Sequence, residues 1–235
     1  MIAGRLSDGN VTIISENDHA QRKGTAMKKV RSLSKEKIDE ISALIGASFW
    51  DFPYEPNEGG LKPFFPSKAA MTEYMKSFVI AGIESGTFYC TDNGEGYILI
   101  TDTKGNHPNF RSIVKMARRM KIALGGWGKL FSFLKQANSG CDIKPLEIQM
   151  KRQKKPHVKV EMLIVTEQYQ GQGYMRKLME FAYKIADKNG CPCILDTDAK
   201  GKCDRYVHLG MKLVQTRTAA GCKIYDLMYN KEGIN

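Results

Sequence analysis

Apolar residues recur three and four positions apart early in the chain, which is the spacing of an amphipathic helix. Ser34 precedes this pattern, so we predict a helix capped by its hydroxyl and ending near Phe49. A second helix is predicted from Ser67 to about Glu84. The run WDFPYEPNEGGLKPFFP between them contains four prolines and two adjacent glycines, which predicts a loop rich in aromatic residues.

Short apolar runs bounded by turn residues follow. TFYCT and YILIT, joined by DNGEG, predict a hairpin with its turn at Asn93-Gly94. Over 110–124 the apolar residues share one helical face and most basic residues lie off it, which predicts an amphipathic helix. A shorter helix is predicted from Trp127, and KRQKK at 151–155 is predicted to be a solvated turn.

The second half begins with a predicted strand, HVKVEMLIV, over 157–165. Strict alternation would place two sets of residues on opposite sides of it: Lys159, Glu161, Leu163 and Val165, against Val160, Met162 and Ile164. A strong amphipathic helix runs from Met175 and is stopped by Asn189-Gly190. CILDT at 193–197 predicts a buried strand, and MKLVQTRT with CKIYDLMY predicts a terminal hairpin.

The chain has 235 residues, of which 42% are hydrophobic and 26% charged, so it is neither collagenous nor disordered. Its net charge is +11. Residues 104–155 contain thirteen Lys and Arg against two acids, so this segment accounts for the whole excess. We call residues 104–156 the basic insertion. Its charge raises the question of an anionic partner, including a nucleic acid.

The termini and cysteines indicate compartment and domain limits. Residues 1–26 are polar and are predicted to be a peripheral extension, so that the folded domain spans 27–235. No apolar run is long enough for a membrane span and no secretory signal is recognisable, which favours a cytoplasmic location without membrane contact. The six cysteines lack the spacing of a metal or redox site, so we expect reduced thiols and no metal cofactor.

The loop TEQYQGQGYM joins the strand ending at Val165 to a helix N-terminus. The first N–H groups of a helix lack intrahelical partners, and Gly171 and Gly173 allow close backbone approach, so the loop is predicted to bind an anion. A dinucleotide fingerprint would need a third glycine where Arg176 stands, and a Walker loop would need Gly-Lys-Ser/Thr. Both motifs are therefore excluded.

The run Gln170-Gly171-Gln172-Gly173-Tyr174-Met175 resembles the pyrophosphate loop of the GCN5-related N-acetyltransferase (GNAT) family, in which a Gln or Arg precedes spaced glycines. Downstream, Tyr206 and Gly210-Met211 match a family block in which a Tyr lies four residues before Gly-Phe. Three residues depart from the family pattern, namely Met175, Lys202 and Met211. The resemblance implies an α/β fold with one mixed, mostly antiparallel sheet flanked by helices, here carrying a helical insertion.

The resemblance also implies acetyl-CoA as acyl donor and an amine of a small molecule or peptide as acceptor. The donor's pantetheine arm is expected along the backbone of Leu163, Ile164 and Val165. Its pyrophosphate is expected on the loop residues Gln170, Gly171, Gln172, Gly173, Tyr174 and Met175, with Lys202 able to change contacts to the cosubstrate. Tyr206 is the candidate acid for the departing thiolate, with a packed core tyrosine as the alternative.

Glu161 is the candidate base, and a carboxylate that is paired with Lys159 or exposed is the alternative for it. His157, expected in a loop, and His208, expected at the surface, are alternative titrating groups. The resemblance implies that the basic insertion covers the acceptor or the 3′-phosphate of CoA. A cationic cover would favour an acceptor that carries an anionic group. Two other functions stay open: a catalytically silent CoA-binding regulator, and a nucleic-acid-binding module that uses the insertion. The oligomeric state is open as well, a homodimer included.

Overall fold

The computed structural model describes residues 27–59, 61–105, 107–138, 142–219 and 221–231. The predicted extension, residues 1–26, lies outside them, as does Cys141. Within the described residues no helix combines the length and the apolar character that crossing a bilayer requires.

Seven strands form a single sheet, in the order β1-β2-β3-β4-β5-β7-β6. The strands are Lys28–Lys29 (β1), Phe88–Cys90 (β2), Gly96–Asp102 (β3), Val158–Val165 (β4), Cys193–Thr197 (β5), Lys212–Ala219 (β6) and Cys222–Tyr229 (β7). β4 and β5 run parallel, and the other neighbouring pairs are antiparallel. The predicted mixed, mostly antiparallel sheet is confirmed.

Seven α-helices accompany the sheet over the described ranges. They are Lys35–Trp50 (α1), Lys68–Ser85 (α2), Phe110–Leu124 (α3), Trp127–Asn138 (α4), Leu146–Arg152 (α5), Tyr174–Asn189 (α6) and Lys200–His208 (α7). The hydroxyls of Ser34 and Ser67 accept the N–H groups of Lys37 and Ala70, each at 3.2 Å, so the predicted cap at Ser34 is present and Ser67, the predicted start of α2, is a cap as well. α5 was not predicted, and residues 151 and 152 form its last turn rather than a solvated turn.

Alternate residues of β3 separate two apolar clusters on opposite faces of the sheet. Ile98 and Ile100 join a cluster with Leu178 and other residues of α6. Tyr97 and Leu99 join the cluster that contains the inward faces of α1 and α2. Period-two burial on both faces is typical of a sheet between helical layers.

The basic insertion packs on the α1/α2 face of the sheet. α3 lies against α2, and the apolar sides of α3 and α4 join that cluster through Met120, Ala123, Leu124, Leu130 and Phe133. Further along, Leu146 and Met150 of α5 pack on Ile194 of β5. Ile194 alternates with Cys193 and Leu195, which belong to the α6 cluster, so α5 also covers the face opposite α6. The insertion is therefore part of the folded layer next to the sheet.

A β-bulge at Glu161 overturns the predicted alternation along β4. Leu99 pairs with Met162 and Ile100 with Val160, so Glu161 has no backbone pairing partner on β3. As a result Leu163 and Val165 pack with Val158 and Val160 on the α6 face, whereas Met162 and Ile164 pack on the α1/α2 face. One extra residue in a strand shifts every later side chain to the other face.

The described cysteines are free thiols. Cys90, Cys191, Cys193 and Cys203 are buried, and Cys222 is partly buried. Burial raises the pKa of Cys90 to about 11, with the carboxylates of Asp92 and Glu95 adding to the effect against Lys28. A thiol of this kind is protonated at neutral pH and is a poor nucleophile.

Candidate active site

The parallel strands β4 and β5 stay together over only two residue pairs. Val158 pairs with Cys193 and Lys159 with Ile194, and beyond these residues the two strands diverge. We call the resulting opening the fork. β3 occupies the other edge of β4 along its length. The edge of β4 that carries Leu163, Ile164 and Val165 therefore faces the fork, where an extended ligand can pair with it as an added strand.

The predicted anion loop lies at the end of β4. Gly171 and Gly173 both have left-handed backbones, with φ of +75° and +82°. Gly173 is the N-cap of α6 and supplies no side-chain cap, so the first-turn N–H groups stay directed at the loop. A 16-residue helix adds a partial positive charge there, which favours a bound anion.

Side chains on both sides of the loop hold its shape. The Gln170 amide donates to the carbonyl of Val165 at 3.3 Å, and Gln172 donates to that of Gln168 at 2.8 Å. The Tyr174 hydroxyl donates to Glu95 in the β2–β3 turn at 3.3 Å. Glu95 was missed in the sequence because a carboxylate in a hairpin turn carries no signal of a contact 79 residues away.

A groove of about 470 Å³ runs from this loop along α7. It is lined by Gly173, Met175 and Arg176 from the loop and α6, and by Asp204, Arg205, His208 and Leu209 from α7. His208, an alternative titrating group in the sequence, lies exposed on α7, whereas Arg176 and Arg205 were not predicted as site residues. The one signal for Arg205 is that it lies three residues before His208 and so shares a helical face with it.

Tyr206 lies on α7 and is partly buried against the α6 cluster. Burial raises the pKa of Tyr206 to about 12, the Asp198 carboxylate adds to the rise, and Arg205 opposes it. The phenol is therefore neutral and able to donate a proton at physiological pH. Its role as an acid stays a prediction, because packing against the core is present as well.

Glu161 is held by two neighbours. Its carboxylate accepts from the Thr101 hydroxyl at 3.0 Å and pairs with the Lys159 ammonium at 3.0 Å. The ion pair proposed as the alternative role is thus present, and the Glu161 side chain keeps 25% of its surface exposed. The role of Glu161 as a base stays a prediction.

Lys159 is the centre of a larger charged cluster beside the fork. Its ammonium lies 2.6 Å from Glu147 of α5, 3.0 Å from Glu161 and 3.8 Å from Asp196 of β5. Burial alone would lower the pKa of Lys159, but the three carboxylates outweigh burial and raise it. Next to it, Arg217 pairs with buried Asp226 at 3.0 Å and with Asp196 at 3.4 Å.

The basic insertion reaches this cluster through a carboxylate. Lys159 and Lys151 hold the pKa of Glu147 at about 2 against the effect of burial, so Glu147 is ionised. The backbone N–H of Leu146 also donates to Asp226 at 3.3 Å. The expectation of a cationic cover at the acceptor stays a prediction, and the insertion residue beside the fork is Glu147, which pairs with Lys151 and Lys159.

Lys202 is held by Asp198 and Tyr54. Its ammonium lies 3.0 Å from the Asp198 carboxylate and 3.0 Å from the Tyr54 hydroxyl. A contact between Lys202 and the cosubstrate therefore stays a prediction. Across the part of the chain that the structure describes, no three His, Cys, Asp or Glu side chains gather as metal ligands would.

The loop and α7 line one groove, and β4, whose free edge faces the fork, leads into that loop. The loop can hold an anionic group, the free edge of β4 can pair with an extended arm, and α7 carries the neutral phenol of Tyr206. This arrangement suits transfer of a group carried on a long phosphorylated arm.

Comparison with known proteins supports this interpretation. Residues 140–210 match the model of the acetyltransferase (GNAT) family. The match contains β4, the loop, α6, β5 and α7. No curated protein sequence matches the chain significantly.

Two solved structures share the fold. An N-acetyltransferase from Staphylococcus aureus Mu50 is 14% identical, with a TM-score of 0.52, and the match covers 86% of this chain and 99% of that one. The C-terminal condensation domain of Ebony, in complex with beta-alanyl-dopamine, is 12% identical, with a TM-score of 0.54, covering 87% and 98%. The GNAT-like fold and the family resemblance are confirmed.

Proposed function

We propose that this chain, which carries a GNAT acetyltransferase domain, transfers acetyl from acetyl-CoA to a primary amine of a small molecule or peptide. One observation carries the proposal. The β4–β5 pair opens after two residue pairs, and β4 then leads through the loop to an α6 N-terminus that has no side-chain cap. A thioester on a long arm with a pyrophosphate matches both features, since the edge binds the arm and the helix binds the anion.

The reaction forms an amide C–N bond and breaks the thioester C–S bond. A proton leaves the amine nitrogen, and another reaches the departing sulfur. The backbone N–H groups at the fork edge of Leu163 to Val165 would hold the arm and polarise the carbonyl. Tyr206, kept neutral by burial and by Asp198, would supply the proton to the sulfur.

Glu161 would take the proton from the amine. It stands at the bulge of β4, where its carboxylate contacts Thr101 of β3 and Lys159, and its side chain keeps contact with solvent. A bulge beside an active site commonly redirects one side chain. Asp196, on the opposite strand of the fork, shares Lys159 with Glu161. An incoming amine would therefore meet carboxylates on both strands.

A thiol-release assay with acetyl-CoA against amines, amino acids and peptide N-termini tests the proposal. We expect release that depends on the amine, together with saturable CoA binding. CoA binding without release for any amine class would favour the catalytically silent regulator. Steeply salt-dependent binding of DNA or RNA without CoA binding would favour the nucleic-acid alternative.

Tyr206→Phe separates an enzyme from a silent CoA-binding protein. The substitution removes the phenolic proton and keeps the ring that packs against the α6 cluster. We expect thiol release to fall by about 100-fold, the usual contribution of a general acid. Affinity for CoA should stay within about twofold, because the packed ring is kept. A twofold change in affinity corresponds to less than about 0.5 kcal/mol of binding free energy. Unchanged turnover would exclude Tyr206 as the acid.

A further inference from the structure

The ammonium of Lys202 is surrounded by aromatic rings from the last turn of α1 and from the loop that follows it. It lies 4.3 Å from the ring centre of Phe52, 4.7 Å from Phe49 and 4.8 Å from Tyr54. Each distance is within the roughly 6 Å over which a cation is attracted to a ring face. Three rings around one ammonium form the kind of cage that recognises organic cations.

A carboxylate and a hydroxyl complete this enclosure. The Asp198 side chain, 10% exposed, lies 3.0 Å from the Lys202 ammonium through one oxygen and accepts the Tyr54 hydroxyl at 3.0 Å through the other. The Tyr54 oxygen is itself 3.0 Å from that ammonium. We call Phe49, Phe52, Tyr54 and Asp198 the cation box. Its rings and charge match an alkylammonium or guanidinium group.

The box is fixed to the end of the sheet where the fork opens. The Gly59 N–H donates to the carbonyl of Asp198 at 3.1 Å, and the Lys200 N–H donates to Glu58 at 2.6 Å. Both contacts tie the α1–α2 loop to the junction of β5 and α7. The box is thus built by residues about 140 positions apart, such as Tyr54 and Asp198.

The box also adjoins the predicted acid. Lys202 precedes Tyr206 by four residues on α7, which places the two side chains on neighbouring turns of one helical face. Anything held in the box therefore lies beside the proposed site of transfer.

We infer that the cation box is a binding site for an organic cation, and that Lys202 is its built-in occupant, which excludes a second cationic group of the acceptor. The specificity role rests on the proposed function. The existence of the binding site does not.

Two effects act in opposite directions on the pKa of Lys202. Burial lowers the pKa of Lys202, while Asp198 opposes that effect. An ammonium that loses much of its hydration is retained because the rings and Asp198 replace it. Removing the amine would leave Asp198 buried without its cation, a state that an external cation can relieve.

Lys202→Ala with n-propylammonium as the probe tests the site, because this ion replaces the atoms of lysine beyond its β-carbon. We expect the variant to bind the ion at least about tenfold more tightly than the original chain, the range of a desolvated cation–π site. Lys202→Arg, which keeps a cation in the box, is the matched control and should not bind it. The affinity for neutral 1-propanol measures how much of the binding comes from filling the emptied cavity without a charge. Calorimetry at constant ionic strength gives the affinities.

Three outcomes overturn the binding site: equal affinity in the variant and the original chain, equal affinity for 1-propanol, or unchanged affinity after adding Phe52→Ala. Melting temperatures check that each variant is folded. If Lys202→Ala fails to fold alone, rescue of its melting temperature by n-propylammonium but not by 1-propanol supports the site, and rescue by neither overturns it.

The specificity role is measured by turnover. Lys202→Ala should raise kcat/KM for a diamine relative to the monoamine of equal length by about tenfold over the original chain. An unchanged ratio, with tight n-propylammonium binding, would overturn the exclusion role and keep the site. Absence of thiol release with every amine would instead contradict the proposed function, and the calorimetric result would still decide the box.

Discussion

Lys159 shows how a single side chain organises the charge beside the fork. It joins Glu147 of α5, Glu161 of β4 and Asp196 of β5, three acidic residues that would otherwise repel one another. Removing one partner of such a buried cluster leaves an uncompensated charge, which is costly. Substitutions of its carboxylates should therefore be compared with one another rather than with the original chain alone.

Glu161→Gln and Glu147→Gln form such a pair, because both remove a carboxylate that contacts Lys159. We expect Glu161→Gln to lower kcat by about 100-fold, as loss of a general base does. Glu147→Gln should reduce the free energy of unfolding by about as much as Glu161→Gln does, because it alters the same charge cluster. It should keep kcat within about threefold, because no proton acceptor is removed. Steady-state kinetics and thermal melting give both quantities. Equal kcat losses would mean that Glu161 acts only through Lys159.

Glu95 predicts a pH dependence of stability. Burial alone would raise the pKa of Glu95, but hydrogen bonds from Thr91 and Asn93 outweigh burial and lower it to about 2. The folded pKa lies below the unfolded one, so the stabilising contribution is full above about pH 5 and is lost as pH falls toward 2. Glu95→Gln should reduce stability at pH 7 and flatten its decline in acid.

Urea unfolding between pH 2 and 7 measures this effect. Glu180→Gln, at an exposed position of α6, is the control and should leave the profile unchanged. A parallel offset of the Glu95→Gln profile at every pH would contradict the linkage. Because Tyr174 donates to Glu95, the same variant should also weaken CoA binding.

At the scale of elements, local sequence was sufficient for most helices and strands. Ser34, Ser67 and Asn189-Gly190 mark helix limits through hydrogen bonds or backbone conformations that nearby residues determine. The helix α5 was missed because it has only seven residues and because its apolar residues Leu146 and Met150 pack on Ile194 of a distant strand. The bulge at Glu161 was missed because alternation continues in the sequence while the pairing with β3 shifts.

The two ends of α6 offer a matched test of the anion loop. Gly173 and Gly190 both have left-handed backbones, with φ of +82° and +61°, and a β-carbon at either position meets no neighbouring atom. Alanine at either should therefore cost about 1 to 2 kcal/mol through backbone strain. Only Gly173→Ala should also weaken CoA binding, by about tenfold or 1.4 kcal/mol. Equal CoA affinities in the two variants would contradict the assignment of the loop.

At the scale of the whole molecule, the net charge of +11 does not describe the charge beside the candidate site. The insertion that carries the excess packs its apolar faces on the sheet layer, and it reaches the fork through Glu147. Total charge governs long-range attraction, whereas a site is governed by the groups that contact its ligand. Overall basicity is therefore a poor guide to the acceptor.

The domain limit proposed at Met27 can be tested with a chain that begins there. Described secondary structure starts with β1 at Lys28, which pairs with Cys90 of β2. We expect the shortened chain to keep its melting temperature within about 2 °C, a change of less than about 1 kcal/mol at this size. Loss of solubility, or a larger fall in melting temperature, would place residues 1–26 within the folded unit.

Sequence by itself determined the order of the elements apart from α5, together with the helix limits and the glycine loop, because each depends on residues within a few positions of one another. The family resemblance and the choice of Tyr206 as candidate acid also rest on local motifs, and the role of Tyr206 stays a prediction. Tertiary structure decided which carboxylates surround Lys159, which face each β4 side chain occupies, and what Lys202 contacts. Those outcomes depend on contacts between segments far apart in the chain, such as the hydrogen bond between Tyr54 and Asp198. A local sequence pattern carries no information on which distant segments meet in the fold.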